Sequence, residues 1–186
     1  LPAHITRLTE FGERADWSHD GKRILFLEKT FGDVFEIEVE TKIIRPVTHH
    51  YYHEGYTRAL YLANGDVLLS GAKMFDADHP MPSRESEAEL WILDKSFTRP
   101  PVRLGEKCSE GPAVSRTQMR IAWTVDHGDY PDHMKNGGSQ IWVADIKPDA
   151  TGDIPSISAV TFAPNFVTRN PSTASVFSAQ VSAAPG

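Results

Sequence analysis

The chain has 186 residues, 40% of them apolar and 24% charged, which is the composition of a soluble globular protein with room for one sizeable core. A formal net charge of −6 gives a surface that repels phosphate backbones, which excludes nucleic acid as a general partner. Cys108 is the only cysteine, so no intrachain disulfide or cysteine-rich zinc site can form, and no apolar run reaches the roughly 18–20 residues of a membrane span. The start, Leu1-Pro2-Ala3-His4, lacks both the basic and the apolar segments of a signal peptide and has no initiator Met. The compartment is therefore open, cytoplasmic or exported without disulfides.

From about Gly12 the chain reads as short strands. Ala15-Asp16-Trp17-Ser18-His19-Asp20-Gly21-Lys22 sets Asp-Gly between two apolar stretches, a strong hairpin signal. Arg23–Leu27 follows as a run apolar on both faces, which suits a strand covered from both sides. Val34–Val39 then alternates, with Phe35, Ile37 and Val39 on one face and Glu36 and Glu38 on the other, the period of a half-buried strand. A short fourth strand runs from Ile43 to Val47.

The series repeats. Ala59–Asp66 carries Asn-Gly at the turn, Asp66–Ser70 is the apolar run, Glu89–Asp94 holds Trp91, and Pro101–Leu104 closes the unit. A third copy has Ala113–Gln118 with its glycine lost, then Arg120–Thr124, then Gln140–Asp145 with Trp142, and less clearly Ile157–Phe162. Gly21 and Gly65 are 44 residues apart, Phe35 and Trp91 are 56 apart, and Trp91 and Trp142 are 51 apart, the period of propeller blades. A generic antiparallel sandwich is the alternative, and the turn chemistry favours the propeller.

Residues 15–26 followed by Asp33-Val34-Phe35-Glu36-Ile37 resemble the repeat of TolB-like β-propellers, the PD40 or WD40-like repeat. That pattern is a Trp-Ser-Pro-Asp-Gly-Lys turn, an apolar strand and a strand containing an aromatic; here His19 replaces the proline. The expected fold is all-β, a partial propeller of three four-stranded antiparallel blades at about 12–48, 56–104 and 110–162, within a region 8–162. Closed rings need roughly four to eight blades. Three blades thus imply a fragment or truncated product, or closure by self-association through unpaired blade edges. The tail 163–186, rich in Ser, Ala and Pro, reads as a disordered extension.

Strands of a blade alternate in direction, so the connection into its first strand and the loop between its second and third lie at one end. Six of the eight histidines fall in three such segments. These segments are 48–55, with His49, His50, Tyr51, Tyr52, His53 and Glu54; 74–87, with Asp76, Asp78 and His79; and 126–133, with His127, Asp129, Tyr130 and His133. Tyr51, Tyr52, Glu54, Asp76, Asp78, Asp129 and Tyr130 are the candidate ligand-binding face. His49, His50, His53, His79, His127 and His133 are candidate ligands for one divalent metal, Mn, Zn, Fe or Ni, with Ca at the aspartates as a weaker case. The alternative is a solvated surface with contact residues.

The resemblance implies a metal held by loop histidines in some members, as in oligogalacturonate lyases, but no catalytic residue aligns. No Gly-x-Ser-x-Gly, P-loop, dinucleotide fingerprint or His-Glu-x-x-His occurs. Cys108 and the four tryptophans read as packing residues. Three functions remain: a non-enzymatic scaffold for a protein or carbohydrate partner, a metal-dependent carbohydrate-active enzyme, and an accessory propeller of a larger hydrolase.

Overall fold

The computed structural model describes residues 2–148 and 155–162 and is a partial β-propeller of three blades. Blade one is the sheet β1-β2-β3-β4, formed by Glu13–Trp17, Arg23–Leu27, Val34–Glu38 and Ile44–Pro46. Blade two is β5-β6-β7-β8, formed by Tyr56–Tyr61, Val67–Ala72, Ala88–Leu93 and Val102–Lys107. Blade three has β9 (Glu110–Val114), β10 (Arg120–Asp126), β11 (Ser139–Pro148) and β12 (Pro155–Phe162), in sequential order across the sheet. The tail 163–186 lies outside the described residues. Among the described residues no helix is long and apolar enough to cross a membrane.

The turns form for the reason their sequences suggest. Gly21 and Gly65 both adopt positive φ, at 68° and 92°, and their N–H groups close tight turns on the Ser18 and Leu62 carbonyls. In the third copy Ser115 Oγ accepts the Gln118 amide, a side-chain substitute for the missing glycine turn. His19, the departure from the proline of the repeat, places Nε2 2.8 Å from the Leu62 carbonyl and so joins the first turn to the second blade.

Strand register shows which residues correspond between blades. Trp17 pairs with Ile24 and Ile24 with Ile37; Tyr61, Val67 and Leu93 form the same row in blade two, and Val114, Ile121 and Ala144 in blade three. Phe26–Phe35, Leu69–Trp91 and Trp123–Trp142 form the next row on that face. Tyr61, Val67, Leu69 and Leu93 bury this face of blade two against Leu25, Leu27, Val34 and Val47 of blade one. Ile121, Trp123, Trp142 and Ala144 do the same for blade three against Leu62, Leu68, Leu90 and Ile92 of blade two. Cys108 is buried in this second core, as expected for a packing residue.

Three features differ from the sequence reading. The alternation in β3 assigns Glu36 to an open face, yet Glu36 is 2% exposed, because blade two covers that face. Arg45, Arg23 and the Tyr61 hydroxyl compensate its burial by bonding both carboxylate oxygens. Burial first, and then this carboxylate, raise the Tyr61 phenol far above its ordinary range. Trp17 is the second difference. It is 50% exposed because no blade among the described residues covers its side of blade one, while Trp123 and Trp142 are buried. The third is α1 (Pro80–Glu85), one short helix in the β6–β7 loop, too brief to show a helical period and started by prolines.

Asp16 joins all three blades. It accepts the Tyr61 amide of β5 on Oδ2 at 2.9 Å and the Arg116 guanidinium, from the β9–β10 turn, on Oδ1 at 2.7 Å. Arg116 also donates to the Trp17 carbonyl. Asp16→Ala strands a buried amide and loosens blades one and three at once, so chemical denaturation should show a loss of about 1–3 kcal/mol. Arg116→Ala, which leaves the Asp16–Tyr61 bond intact, should cost less.

Candidate functional site

The loop-rich end is built on blade one's β2–β3 loop. Gly32 N–H closes that loop on the Lys29 carbonyl, and Phe31 and Gly32 exchange backbone hydrogen bonds with Tyr56 at the start of β5. The approach is close enough to require Gly55, at φ 90°, since a Cβ there would lie 2.3 Å from the Phe31 carbonyl oxygen. The Phe31 ring meets Phe75 of the β6–β7 loop at 4.5 Å. Loops of two blades are thereby fastened into one surface.

Asp33 is the polar centre of this surface. Its Oδ1 accepts from His53 Nε2 at 2.8 Å and from the Thr48 hydroxyl at 3.0 Å, and its Oδ2 lies 2.9 Å from His49 Nδ1. Thr48 in turn accepts the Val34 amide. Because His53 Nδ1 accepts the Gly55 N–H, its ring proton sits on Nε2 and both nitrogens are engaged. Burial opposes ionisation of Asp33, but the bonds from His49, His53 and Thr48 outweigh it and hold the carboxyl below its ordinary value. The same hydrogen bond and charge raise the exposed His49.

The remaining predicted residues occupy separate places. His50 and Tyr51 both bond the Phe97 carbonyl, so they tie the β4–β5 connection to blade two's β7–β8 turn. Tyr52 stands out at 91% exposure, with its hydroxyl bonded to Glu54. Asp76 accepts the Asp78 and His79 amides and pairs with His79 Nδ1, which makes it the organiser of its own turn. His127 Nδ1 donates to the Met134 carbonyl. Tyr130 stacks on Trp142, accepts the Lys107 amide and donates to Glu106, and His133 lies at its edge. Asp129 accepts the Asp126 amide on Oδ2, and burial first of all raises its carboxyl.

The six histidines therefore fall into four neighbourhoods: Asp33, Phe97, Asp76 and the Tyr130 loop. Among the described residues no group of three or more His, Cys, Asp or Glu side chains is placed to hold a metal.

Sequence reasoning missed a second feature of this end. Arg14 of β1, Arg58 of β5 and Arg84 of α1 line one cleft with Thr57, Ser70 and Ser109. Arg14 and Arg58 both donate to the Thr57 carbonyl, at 3.0 and 3.3 Å. Gly111 of β9 makes room for Arg58, whose Nε would lie 2.5 Å from a Cβ there. The signal was available, since Arg14-Ala15 and Arg58-Ala59 stand at one position of the repeated inner strand. Arg84 had none, because the helix that carries it, α1, has no counterpart among the described residues of the other blades.

No family model matches the sequence, and no curated protein matches it. Solved structures do match. A TolB candidate from Agrobacterium tumefaciens superposes with a TM-score of 0.52 at 13% identity, over 83% of this chain and 52% of that one. TolB from Acinetobacter baumannii gives a TM-score of 0.50 at 18% identity, over 83% of this chain and 34% of that one. The fold is that of a TolB-like β-propeller, and the chain spans about half and about a third of the length of these two structures.

The Asp33–His49 pair has a pH signature. The raised His49 contributes stability below its ordinary 6.5, lost as pH rises through its folded value. The lowered Asp33 contributes above its ordinary 3.8, lost as pH falls through its folded value. The pair is thus strongest between those limits. A histidine NMR titration should place His49 above 6.5. Asp33→Asn should lower it, and should cost more stability at about pH 5 than at about pH 9.

Proposed function

We propose that this chain is a non-enzymatic binding module that engages a partner protein through its loop-rich end. One observation carries the reading. Tyr52, Met74 and Met81 are 91%, 67% and 53% exposed, and all three stand on the loops that Asp33, Gly55 and Asp76 brace from beneath. Braced backbone lowers the ordering cost of association, while tyrosine and methionine supply contact area that adapts to a protein surface.

Other readings have less support on this face. A carbohydrate partner is best met by a flat aromatic platform, and Tyr52 stands alone with its hydroxyl turned to Glu54. A metal-assisted lyase needs ligands that converge, whereas the six histidines are spread over four neighbourhoods, with only His49 and His53 meeting at one carboxylate. An accessory role in a larger hydrolase is compatible with the binding reading and adds nothing testable on these residues.

Proximity labelling with the chain as bait supplies candidate partners, and calorimetry on a purified one tests the face. The triple change Tyr52→Ser, Met74→Ser and Met81→Ser should weaken binding at least about tenfold, equivalent to about 1.4 kcal/mol, with the melting temperature unchanged. Unchanged affinity would sink the proposal. Binding to a glycan panel that the triple change abolishes would replace protein with carbohydrate as the partner.

A further inference from the structure

The sequence holds two Asn-Gly pairs, Asn64-Gly65 and Asn136-Gly137, and both asparagines are exposed. Such a pair can react with itself. The main-chain nitrogen of the glycine attacks the asparagine Cγ, and the missing Cβ leaves that nitrogen unshielded. Exposure does not separate the two pairs. The bonds that hold their reacting groups do.

Asn64 is clamped in the β5–β6 turn. Its Nδ2 donates to Asp66 Oδ2 at 2.6 Å, and its Oδ1 accepts the Asp66 amide at 3.0 Å. The Gly65 N–H, which carries the would-be nucleophile, donates to the Leu62 carbonyl at 2.9 Å. Lys95 lies over the turn: its Nζ donates to the Asn64 carbonyl at 3.5 Å, and its Cδ would lie 3.6 Å from a Cβ on Gly65. Cyclisation here must first break this set of bonds.

Asn136 and Gly137 form a tip of the β10–β11 loop, closed by the Gly138 N–H on the Lys135 carbonyl at 2.9 Å. Gly137 takes a φ of 74°, and a Cβ on it would meet no atom within 4 Å. Among the described residues, neither the Asn136 carboxamide nor the Gly137 N–H has a hydrogen-bond partner.

We propose that Asn136 is a site of spontaneous deamidation and isomerisation in the folded chain, and that the β5–β6 turn protects Asn64 from the same reaction. The Gly137 nitrogen gives up its proton and bonds to Asn136 Cγ, and the carboxamide nitrogen leaves as ammonia, taking a proton in exchange. Water then opens the cyclic imide at either carbonyl, giving aspartate or isoaspartate. No oxidant or other co-reactant is needed. The product adds a carboxylate to a loop that already carries Asp126, Asp129 and Asp132 at the loop-rich end. Isoaspartate also adds a main-chain carbon inside the turn that Gly138 closes, and the Gly138 carbonyl accepts the His127 amide. The change therefore reaches the bonds that shape the loop.

The test holds the 186-residue chain folded in mildly alkaline buffer over days and follows its peptides by mass spectrometry, with fragmentation that separates aspartate from isoaspartate. Products at Asn136 should form at least about tenfold faster than at Asn64. In urea, where both turns are lost, the two rates should converge. Asn136→Gln should remove the isoaspartate signal from this loop, because the longer side chain closes its ring poorly. Asp66→Ala should speed conversion at Asn64. Equal rates in the folded chain, faster conversion at Asn64, a ratio that persists in urea, or an Asn64 rate indifferent to Asp66→Ala would each overturn the proposal.

Discussion

The Asp16 carboxylate sits where the inner strands of the three blades converge, holding the Tyr61 amide through one oxygen and the Arg116 guanidinium through the other. A four-stranded blade has two apolar faces and cannot bury both by itself, so each blade depends on being held in register with its neighbours. The apolar contacts supply most of the attraction and little direction. Directional bonds near the axis supply the angle. Asp16 does this for all three blades, and His19 to Leu62 adds a second tie between blades one and two. The buried Glu36, clasped by Arg45, Arg23 and Tyr61, is a third such device, lying inside the apolar contact itself.

Rigid blades leave the loops at one end as the part of the molecule free to vary in purpose. Most of their polar side chains are used internally. Asp33 binds its own blade to the next connection, Asp76 shapes its own turn, and Tyr130 joins its loop to Glu106 and Lys107. Most histidines of these loops hydrogen-bond one part of the chain to another, a common role for imidazole, which can donate and accept at once. These bonds lie in the same loops that carry the exposed Tyr52, Met74 and Met81. Near the axis the shared Thr57 carbonyl draws Arg14 and Arg58 together, which gives this end a local basic lining on an otherwise acidic protein.

The fold was legible because its signals are local. Gly21 and Gly65 adopt the positive φ that their Asp-Gly and Asn-Gly turns require, and the aromatic rows Phe35, Trp91 and Trp142 correspond in register as their spacing suggests. The candidate site was legible only in part. The sequence placed His49, His50 and His53 in one segment, but imidazole direction depends on partners far along the chain: Asp33 for two of them and Phe97 for the other. Alternation likewise described β3 correctly as a strand yet misjudged Glu36, because a two-residue period reports which residues share a face and not what lies across from that face.

The sequence by itself determined the repeat, its strands and turns, the three-blade organisation and the end at which the polar loops gather. Each of these rests on interactions within one turn or between successive strands, where separation along the chain nearly equals separation in space. Only the tertiary structure decided which faces are covered, which histidine meets which partner, and that Arg14, Arg58 and Arg84 share one cleft. Those outcomes depend on how one blade is rotated against the next, a relation carried by contacts tens of residues apart. The partial propeller is thus written locally, and its working surfaces are written in the packing.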